Sequence, residues 1–247
     1  MLATNFLILA ASTIMGFAQA SPSSPLEARQ TVAPYFTYKG NGTPEQGWPV
    51  SDQWRSFDDL WNINIPRSPG ACRFLQIGAN SDSENAFMRA SILKYASQSG
   101  LDARFILVAV QQESSMCVRV RTTVSPNAGA RNPGLLQSAN GVHTCNDVGA
   151  GVPLLNPCPE AQIDGMISDG VGFTTTWGLM QVVQRGGGAQ FVSSYYRGAV
   201  LYNSGIMPAS GNLGQGRSNP CYASDIANRL MGWAADSSPC DKATVGN

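Results

Sequence analysis

An apolar run from Phe105 to Val110 leads through two glutamines into Glu113, and this segment constrains the fold of the chain more than any other. In a helix, Ile106 and Ala109 lie seven and four residues before Glu113 and therefore share its face. The Glu113 carboxyl is then aimed toward the core at the negative end of the helix, where burial and the helix dipole both favour the protonated form. A glutamate protonated near neutral pH can act as a general acid. The alternative interpretation makes Glu113 only the first polar residue after a buried helix.

The helical patterns along the chain predict a mainly α fold. Residues 83–98 contain helix formers with apolar residues at helical spacing, Gly100 ends that helix, and Asp102 caps the helix that carries Glu113. These two helices should form a tight hairpin. We predict four further helices. A short one begins after Ser56 and is ended by Pro66 and Pro69, and the other three lie near residues 161–167, 190–202 and 223–233.

Six cysteines, all beyond the first 20 residues, predict up to three disulfides in an oxidising compartment, with the pairing left open. Residues 122–176 are rich in Gly, Pro, Asn and Ser, and we interpret them as a cleft wall that Cys145 and Cys158 tie down. The chain has a single histidine, His143, and no CxxC motif. We therefore predict no metal site and no other cofactor, and we interpret His143 as a surface or packing residue.

The chain divides into four predicted parts. Residues 1–20 have the apolar stretch and small-residue cleavage pattern of a secretory signal peptide, although they contain no Lys or Arg. Residues 21–50 predict a Ser, Pro and Gly-rich leader or arm, residues 51–240 the folded domain, and residues 241–247 a C-terminal tail. We expect a secreted, extracellular protein. The glycosylation sequon at residues 41–43 would be used only in a eukaryotic pathway.

Charge argues against several classes of partner. The chain carries 16 basic and 16 acidic residues, so its formal net charge is zero, and it has no run of Lys or Arg to attract nucleic acid or an anionic membrane. No segment reaches the roughly 20 consecutive apolar residues that span a bilayer. We predict no nucleic-acid partner and no membrane partner, and we expect a monomer. Neutral substrates, glycans included, fit this composition better.

Three separated motifs occur in order along the chain. Residues 100–115 contain Gly-Leu-Asp-Ala and Gln-Glu-Ser-Ser, residues 129–137 read Gly-Ala-Arg-Asn-Pro-Gly-Leu-Leu-Gln, and residues 201–205 read Leu-Tyr-Asn-Ser-Gly. Between residues 84 and 233 the chain thus resembles the soluble lytic transglycosylases and goose-type lysozymes of the lysozyme superfamily. The resemblance implies a mainly α, lysozyme-like catalytic domain at 51–240 with long disulfide-tied loops. It also implies a secreted eukaryotic member, which we expect to be fungal.

The resemblance implies roles for individual residues. Glu113 corresponds to the catalytic acid of the group. Gln137 ends the element that lines the sugar cleft, here Gly-Leu-Leu-Gln where the group has Gly-Leu-Met-Gln. Tyr202 and Asn203 match the Tyr-Asn element that borders the catalytic carboxyl and the bound sugar. Ser114, which follows the acid, is included among the expected substrate-binding residues.

Trp177 is a further substrate-binding candidate, because an indole ring can stack on the apolar face of a sugar. It begins a second possible cleft element, in which residues 178–181 read Gly-Leu-Met-Gln. We prefer the element at 134–137, because residues 125–131 precede it in the manner of the group. Goose-type enzymes tend to place an Asp just after this element, and here Ser138, Ala139 and Asn140 follow instead.

Glycosidic bond cleavage needs a proton for the leaving oxygen and, for inversion, a second carboxylate that activates water. Asp147, Asp164 and Asp169 are candidates for that carboxylate, although a turn or cap residue is the more usual role for each. Without it, the N-acetyl group of the sugar can assist, or its 6-hydroxyl can attack and give an anhydro product, as the resemblance to transglycosylases implies.

The expected partner is a polysaccharide substrate. We predict a glycosidase that cleaves β-1,4-linked amino-sugar polymers, with bacterial peptidoglycan as the leading substrate. Chitin, chitosan or another neutral β-1,4-glycan is the first alternative, which the zero net charge favours. A disulfide-stabilised glycan-binding protein without turnover is the second alternative.

Overall fold

Eight α-helices and one short β-hairpin form the regular structure of this computed structural model, which describes residues 32–126 and 129–247. The helices are α1 Phe57–Asn64, α2 Ser68–Phe74, α3 Asp82–Ser99, α4 Ala103–Ser114, α5 Glu160–Val171, α6 Leu179–Gly186, α7 Val192–Ser204 and α8 Tyr222–Leu230. The strands are β1 Thr123–Val124 and β2 Arg131–Asn132. The predicted mainly α fold is confirmed. The predicted signal peptide at 1–20 lies outside the described residues, as do residues 21–31 of the predicted arm.

The predicted hairpin of α3 and α4 is present. Ser81 and Glu84 cap the start of α3 reciprocally, because each side chain accepts a hydrogen bond from the backbone N–H of the other. Gly100 ends α3 with a left-handed φ of 72°, which glycine adopts without strain. Asp102 caps α4 by accepting a hydrogen bond from the N–H of Arg104. Local sequence signals thus fix both ends of the connection.

Helix α4 is the innermost helix of the domain. It packs against α1, α3 and α8, and every side chain from Phe105 to Gln111 is at most 1% exposed. Burial of a large aliphatic or aromatic side chain contributes roughly 1.5–3 kcal/mol. The orientation of α4, and with it the direction of Glu113, is therefore set by the core of the domain.

Two helical segments differ from the prediction, and one helix was not predicted. Pro66 and Pro69 were expected to end the helical path after α1, but a 3-10 turn at Ile65–Arg67 continues it into α2, so this prediction was wrong. Both prolines occupy a first turn, where no backbone N–H is needed. Helix α5 is longer than the predicted segment at 161–167, and α6 was not predicted.

All six cysteines are paired in disulfides, which confirms the prediction of three and settles the pairing that sequence left open. The bonds are Cys72–Cys117, Cys145–Cys158 and Cys221–Cys240. The first joins α2 to the segment after α4, and the second closes the loop before α5. Cys145 and Cys158 both lie within the predicted cleft wall at 122–176, and the second half of that segment contains α5.

A buried ion pair lies between the first two disulfides. The guanidinium of Arg119 donates to Oε1 of Glu84, which also accepts from the N–H of Cys158 at 2.6 Å. Glu84 is 2% exposed and Arg119 is fully buried. Burial raises the pKa of Glu84, but hydrogen bonds from Ser81, Cys158 and Arg119 outweigh it, and the net shift is downward. The pair therefore holds α3, the segment after α4 and the loop at Cys158 together as charged groups.

Both ends of the described chain pack against the domain. The Tyr35 hydroxyl donates to Asp225 at 2.7 Å, and Trp48 is buried with its ring 4.8 Å from that of Tyr196. The described part of the predicted arm, residues 32–50, is thus a packed layer over α7 and α8. At the other end Val245, in the predicted tail, is fully buried. No helix within the described ranges is long and apolar enough to cross a membrane.

Candidate active site

A cleft of about 590 Å³ runs past the C-terminal end of α4. Its walls come from α4, the β-hairpin, the turn at 134–137, the residues before α6 and the end of α7. The lining residues are Glu113, Thr123, Ser125, Pro126, Ala130, Asn132, Gln137, Ala139, Trp177, Tyr202, Asn203, Ser204, Gly205 and Ser218. Residues from all three separated motifs therefore meet in one place.

Glu113 lies on the last turn of α4 and presents its carboxyl to the cleft. Burial raises the pKa of Glu113 from its ordinary value of 4.5 to about 7, against a hydrogen bond from Tyr222 that lowers it. The Tyr222 hydroxyl, on the first turn of α8, donates that bond to Oε1 of Glu113. At neutral pH a substantial fraction of Glu113 therefore remains protonated, with one oxygen already held by the protein.

A second contact fixes the end of α4 to α8. The Arg229 guanidinium donates from Nε to Gln112 Oε1 at 2.6 Å and lies 4.6 Å from the centre of the Trp233 ring. Burial lowers the pKa of Arg229 to about 10, so the guanidinium stays charged at neutral pH. Because Gln112 is the residue before Glu113, this contact limits movement of the backbone that carries the acid.

Gln137 enters the cleft from a tight turn. Gly134 adopts a left-handed φ of 74°, and its carbonyl accepts hydrogen bonds from both the backbone N–H and the Nε2 of Gln137. Leu135 and Leu136 are fully buried and anchor the turn to the core. Thr123 of the hairpin donates to Gln137 Oε1 at 2.8 Å. The Gln137 amide is therefore oriented by its own turn and by the opposite wall.

Tyr202 and Asn203 line the cleft from the last turn of α7. The Tyr202 hydroxyl donates to the carbonyl of Leu136 at 2.7 Å, so the second and third motifs are in direct contact. Asn203 Oδ1 accepts from the N–H of Asn219 at 3.0 Å. Its Nδ2 has no partner within residues 32–126 and 129–247 and can donate to a ligand in the cleft. Tyr202 thus positions the cleft wall, and Asn203 supplies a free donor.

Trp177 also lines the cleft, and its ring is held in place from two sides. Its Nε1 donates to the Leu201 carbonyl at 3.2 Å, and the Arg185 guanidinium lies 4.7 Å from the ring centre. The residues after it have a structural role. Gly178 begins α6, and the Gln181 side chain bonds the Gly178 N–H and the Gly172 carbonyl. Of the two possible cleft elements, the structure brings Gln137, and not Gln181, into the cleft.

Ser114 was expected to bind substrate, and its position does not support this role. Its hydroxyl donates to the Val110 carbonyl of the same helix at 2.8 Å, and its side chain is buried outside the cleft lining. A serine hydroxyl bonded four residues back along its helix is a common arrangement. Ser114 therefore helps to end α4.

The three aspartates considered as a second catalytic carboxylate do not reach Glu113. Asp147 pairs with Arg131 and faces a different cavity. Asp164 accepts hydrogen bonds from Lys94, Tyr95 and Ser91 between α3 and α5. Asp169 is buried and accepts from the backbone N–H groups of residues 142 and 143 and from Thr174. In the described part of the chain, Glu113 is the one carboxyl that lines the cleft.

Sequence reasoning missed Tyr222 and the hairpin residues Thr123, Ser125 and Asn132. No local pattern marks Tyr222, which is one of several apolar residues on the buried face of α8. The strands of the hairpin have two residues each, which is too short for an alternating pattern to stand out. His143 is half-buried with Nδ1 3.0 Å from Asp169, and it does not line the cleft.

Comparisons with protein-family models, with curated proteins and with solved structures found no match for this chain. No group of His, Cys, Asp or Glu side chains in residues 32–126 and 129–247 is arranged to hold a metal ion.

Proposed function

We propose that this protein is a secreted glycosidase of lysozyme-like fold that cleaves β-1,4-linked amino-sugar polymers, with peptidoglycan as the leading substrate. One observation carries the proposal. Glu113 has a pKa of about 7 and lines a cleft together with Gln137, Trp177, Tyr202 and Asn203. A protonated carboxyl can donate a proton to the leaving oxygen, polar amides can hydrogen-bond sugar hydroxyl groups, and an aromatic ring can stack on a sugar face.

Glu113 supplies the proton for the leaving oxygen. Because Tyr222 donates to Oε1, the acid proton resides on Oε2 and is available to a sugar in the cleft. As the bond between the anomeric carbon and the leaving oxygen breaks, this proton passes to the oxygen and Glu113 becomes a carboxylate. The hydrogen bond from Tyr222 stabilises that carboxylate, so the same contact holds the acid and assists its ionisation.

The rest of the reaction depends on the substrate, because the described lining of the cleft contains no second carboxylate. In one route the N-acetyl oxygen of an amino sugar attacks the anomeric carbon, and water then opens the intermediate while a proton of that water returns to Glu113. In the other route the 6-hydroxyl of the sugar attacks, its proton returns to Glu113, and a 1,6-anhydro ring forms without consuming water. The first route needs an N-acetylated amino sugar, which supports peptidoglycan and chitin over unsubstituted glucans.

Chitin or chitosan is the second candidate substrate. Peptidoglycan is anionic, and a basic enzyme surface would help to hold it, whereas this chain has zero net charge. With either of these substrates, Glu113 would still donate the proton and the cleft would still bind the polymer.

The test is Glu113→Gln, assayed with purified peptidoglycan, chitin and chitosan, with products identified by mass spectrometry. Glutamine keeps the shape and cannot donate an acid proton, so we expect turnover to fall by roughly 10² to 10⁴-fold. Glu160→Gln, at an exposed position on α5, is the matched control and should retain full activity. Reducing ends would identify hydrolysis, and anhydro ends would identify intramolecular transglycosylation. Unchanged activity of Glu113→Gln, or no cleavage of any substrate by the parent protein, would reject the proposal.

A further inference from the structure

A second cavity of about 630 Å³ lies on the other face of the β-hairpin that borders the cleft. Strands β1 and β2 pair Thr123 with Asn132 and Val124 with Arg131. Thr123 and Asn132 line the cleft, whereas Val124 and Arg131 line the second cavity. This follows from the alternation of side chains along a strand, which sends successive residues to opposite faces. Only the hairpin therefore separates the two spaces.

The second cavity carries one unbalanced positive charge. The Arg131 guanidinium pairs with Asp147, and hydrogen bonding to Arg131 lowers the pKa of that carboxyl, so both groups are charged and cancel. Arg121 also lines the cavity and is exposed, and no carboxylate within residues 32–126 and 129–247 pairs with it. Arg121 is therefore available to pair with an anionic group of a ligand in this cavity.

The remaining lining of the second cavity consists mainly of aliphatic side chains, with a few polar side chains among them. Val124 and Val148 are 55% and 68% exposed, and Leu154 is 41% exposed, so their side chains are free to contact a ligand. Thr122 and Asn146 supply polar atoms. The described lining includes no aromatic ring, whereas the cleft has Trp177 and Tyr202. Sugar faces stack on aromatic rings, and small aliphatic side chains with a carboxylate are features of a short peptide.

We propose that the second cavity binds a short acidic peptide carried by the glycan, with its carboxylate at Arg121 and its small apolar side chains on Val124, Val148 and Leu154. The inference rests on the proposed function, and it selects a peptide-substituted glycan over a plain one. The hairpin that borders the cleft also borders the second cavity, so a substituent that extends from a polymer in the cleft past the hairpin can reach the second cavity. Peptidoglycan carries such peptides and chitin does not, so the cavity gives the enzyme a means of distinguishing them.

The direct test measures binding of a free peptide to the full chain. A synthetic peptide of alanine and glutamate residues is titrated against the parent protein by calorimetry and by NMR of the valine and leucine methyl groups. We expect binding that shifts the methyl signals of Val124, Val148 and Leu154. Arg121→Gln should weaken it about tenfold, the loss expected for one charge-assisted contact. Arg67→Gln is the matched control, because Arg67 is exposed and lines neither space, and it should bind like the parent. The absence of binding, or equal affinity of Arg121→Gln and the parent, would overturn the proposal.

A second measurement separates this inference from the proposed function. Cleavage rates are compared for intact peptidoglycan and for the same strands after an amidase has removed their peptides. We expect Arg121→Gln to lower the ratio of the first rate to the second by about tenfold relative to Arg67→Gln. Peptide binding that depends on Arg121, without cleavage of either substrate, would reject the proposed function and support the peptide site. If both variants cleave both substrates, and the ratio of the two cleavage rates is the same in Arg121→Gln as in Arg67→Gln, the peptide site is rejected and the proposed function is supported.

Discussion

The Tyr222 hydroxyl donates a hydrogen bond to Oε1 of Glu113, although 109 residues separate the two in sequence. The contact exists because α8 packs directly on α4. It opposes the effect of burial, since burial favours the protonated acid and the tyrosine favours the carboxylate. The pKa of about 7 is the balance of these two effects.

Tyr222→Phe removes the opposing effect and should raise the pKa of Glu113 above about 7. The proposed reaction needs protonated Glu113, so we expect activity to fall as the pH rises through this pKa. In Tyr222→Phe the alkaline limb of the pH-rate profile should therefore move to higher pH. The profile of kcat/KM measures this for the free enzyme. Tyr38→Phe is the control, because the Tyr38 hydroxyl has no hydrogen-bond partner among the described residues. An alkaline limb that stays in place, or moves down, would contradict the assignment.

Glu113→Gln should stabilise the protein at alkaline pH and leave its stability unchanged at acid pH. The folded pKa of about 7 exceeds the ordinary value of 4.5. Between these values the folded state binds more protons, so the stability of the parent protein falls as the pH rises through this window and then stays low. A neutral side chain avoids that loss. At one pKa unit per 1.4 kcal/mol, the difference of about 2.5 between these two pKa values predicts a gain of roughly 3 kcal/mol near pH 8 and almost none near pH 4.

Urea unfolding of both proteins at the two pH values measures this difference. If the free energies of unfolding of the parent and Glu113→Gln differ by the same amount at both pH values, the pKa of Glu113 is the same in the folded and unfolded states. The result would also test burial of the acid without any substrate.

Arg119→Met should destabilise the protein by about 3–5 kcal/mol, because it leaves Glu84 as a buried charge without its partner. The double variant Glu84→Gln with Arg119→Met should recover part of this loss, since no charge then remains. The control is Arg89→Met in the exposed pair with Asp58, for which we expect less than about 1 kcal/mol. Urea unfolding at neutral pH gives all three values. Similar losses for Arg119→Met and Arg89→Met would refute the structural importance of the buried pair.

Gly170→Ala should impair both stability and activity. A methyl group at Gly170 on α5 would overlap the side chain of Leu136, and the Leu136 carbonyl holds the Tyr202 hydroxyl. The turn at 134–137 must then shift, at a cost of about 1–3 kcal/mol. Gly70→Ala is the control, because a methyl group there meets no atom within 4 Å, and it should stabilise α2 slightly. Full activity in Gly170→Ala would mean that the turn can move without affecting the cleft.

Part of the predicted site depends on short-range rules. The direction of Glu113 follows from helical periodicity, and Gly100 and Asp102 fix the ends of α3 and α4 through backbone geometry and capping. These predictions needed no knowledge of how distant helices pack. Gln137, Tyr202 and Asn203 were expected beside Glu113 because their motifs resemble those of a known group, and the structure places all three in the cleft.

The parts that sequence did not predict depend on tertiary contacts. Tyr222 reaches Glu113 only through the packing of α8 on α4. Ser114 follows the acid in the motif, and its hydroxyl could either face a ligand or bond to its own helix. Sequence does not distinguish these two arrangements, and in the structure the hydroxyl donates to the Val110 carbonyl. Helix α6 has only eight residues, with a glycine before it at 178 and a run of glycines at its end, 186–188. A segment this short and rich in glycine does not show a clear helical spacing of apolar residues.

The acid and the walls of the cleft belong to different parts of the architecture. Glu113 projects from the innermost helix, whereas a two-stranded hairpin, a turn and loop residues supply most of the surface that faces it. Substitutions in those surface segments can therefore change the shape of the cleft without moving Glu113. Under the proposed function, the specificity of the protein could be re-engineered through its loops while the position of its acid stays fixed.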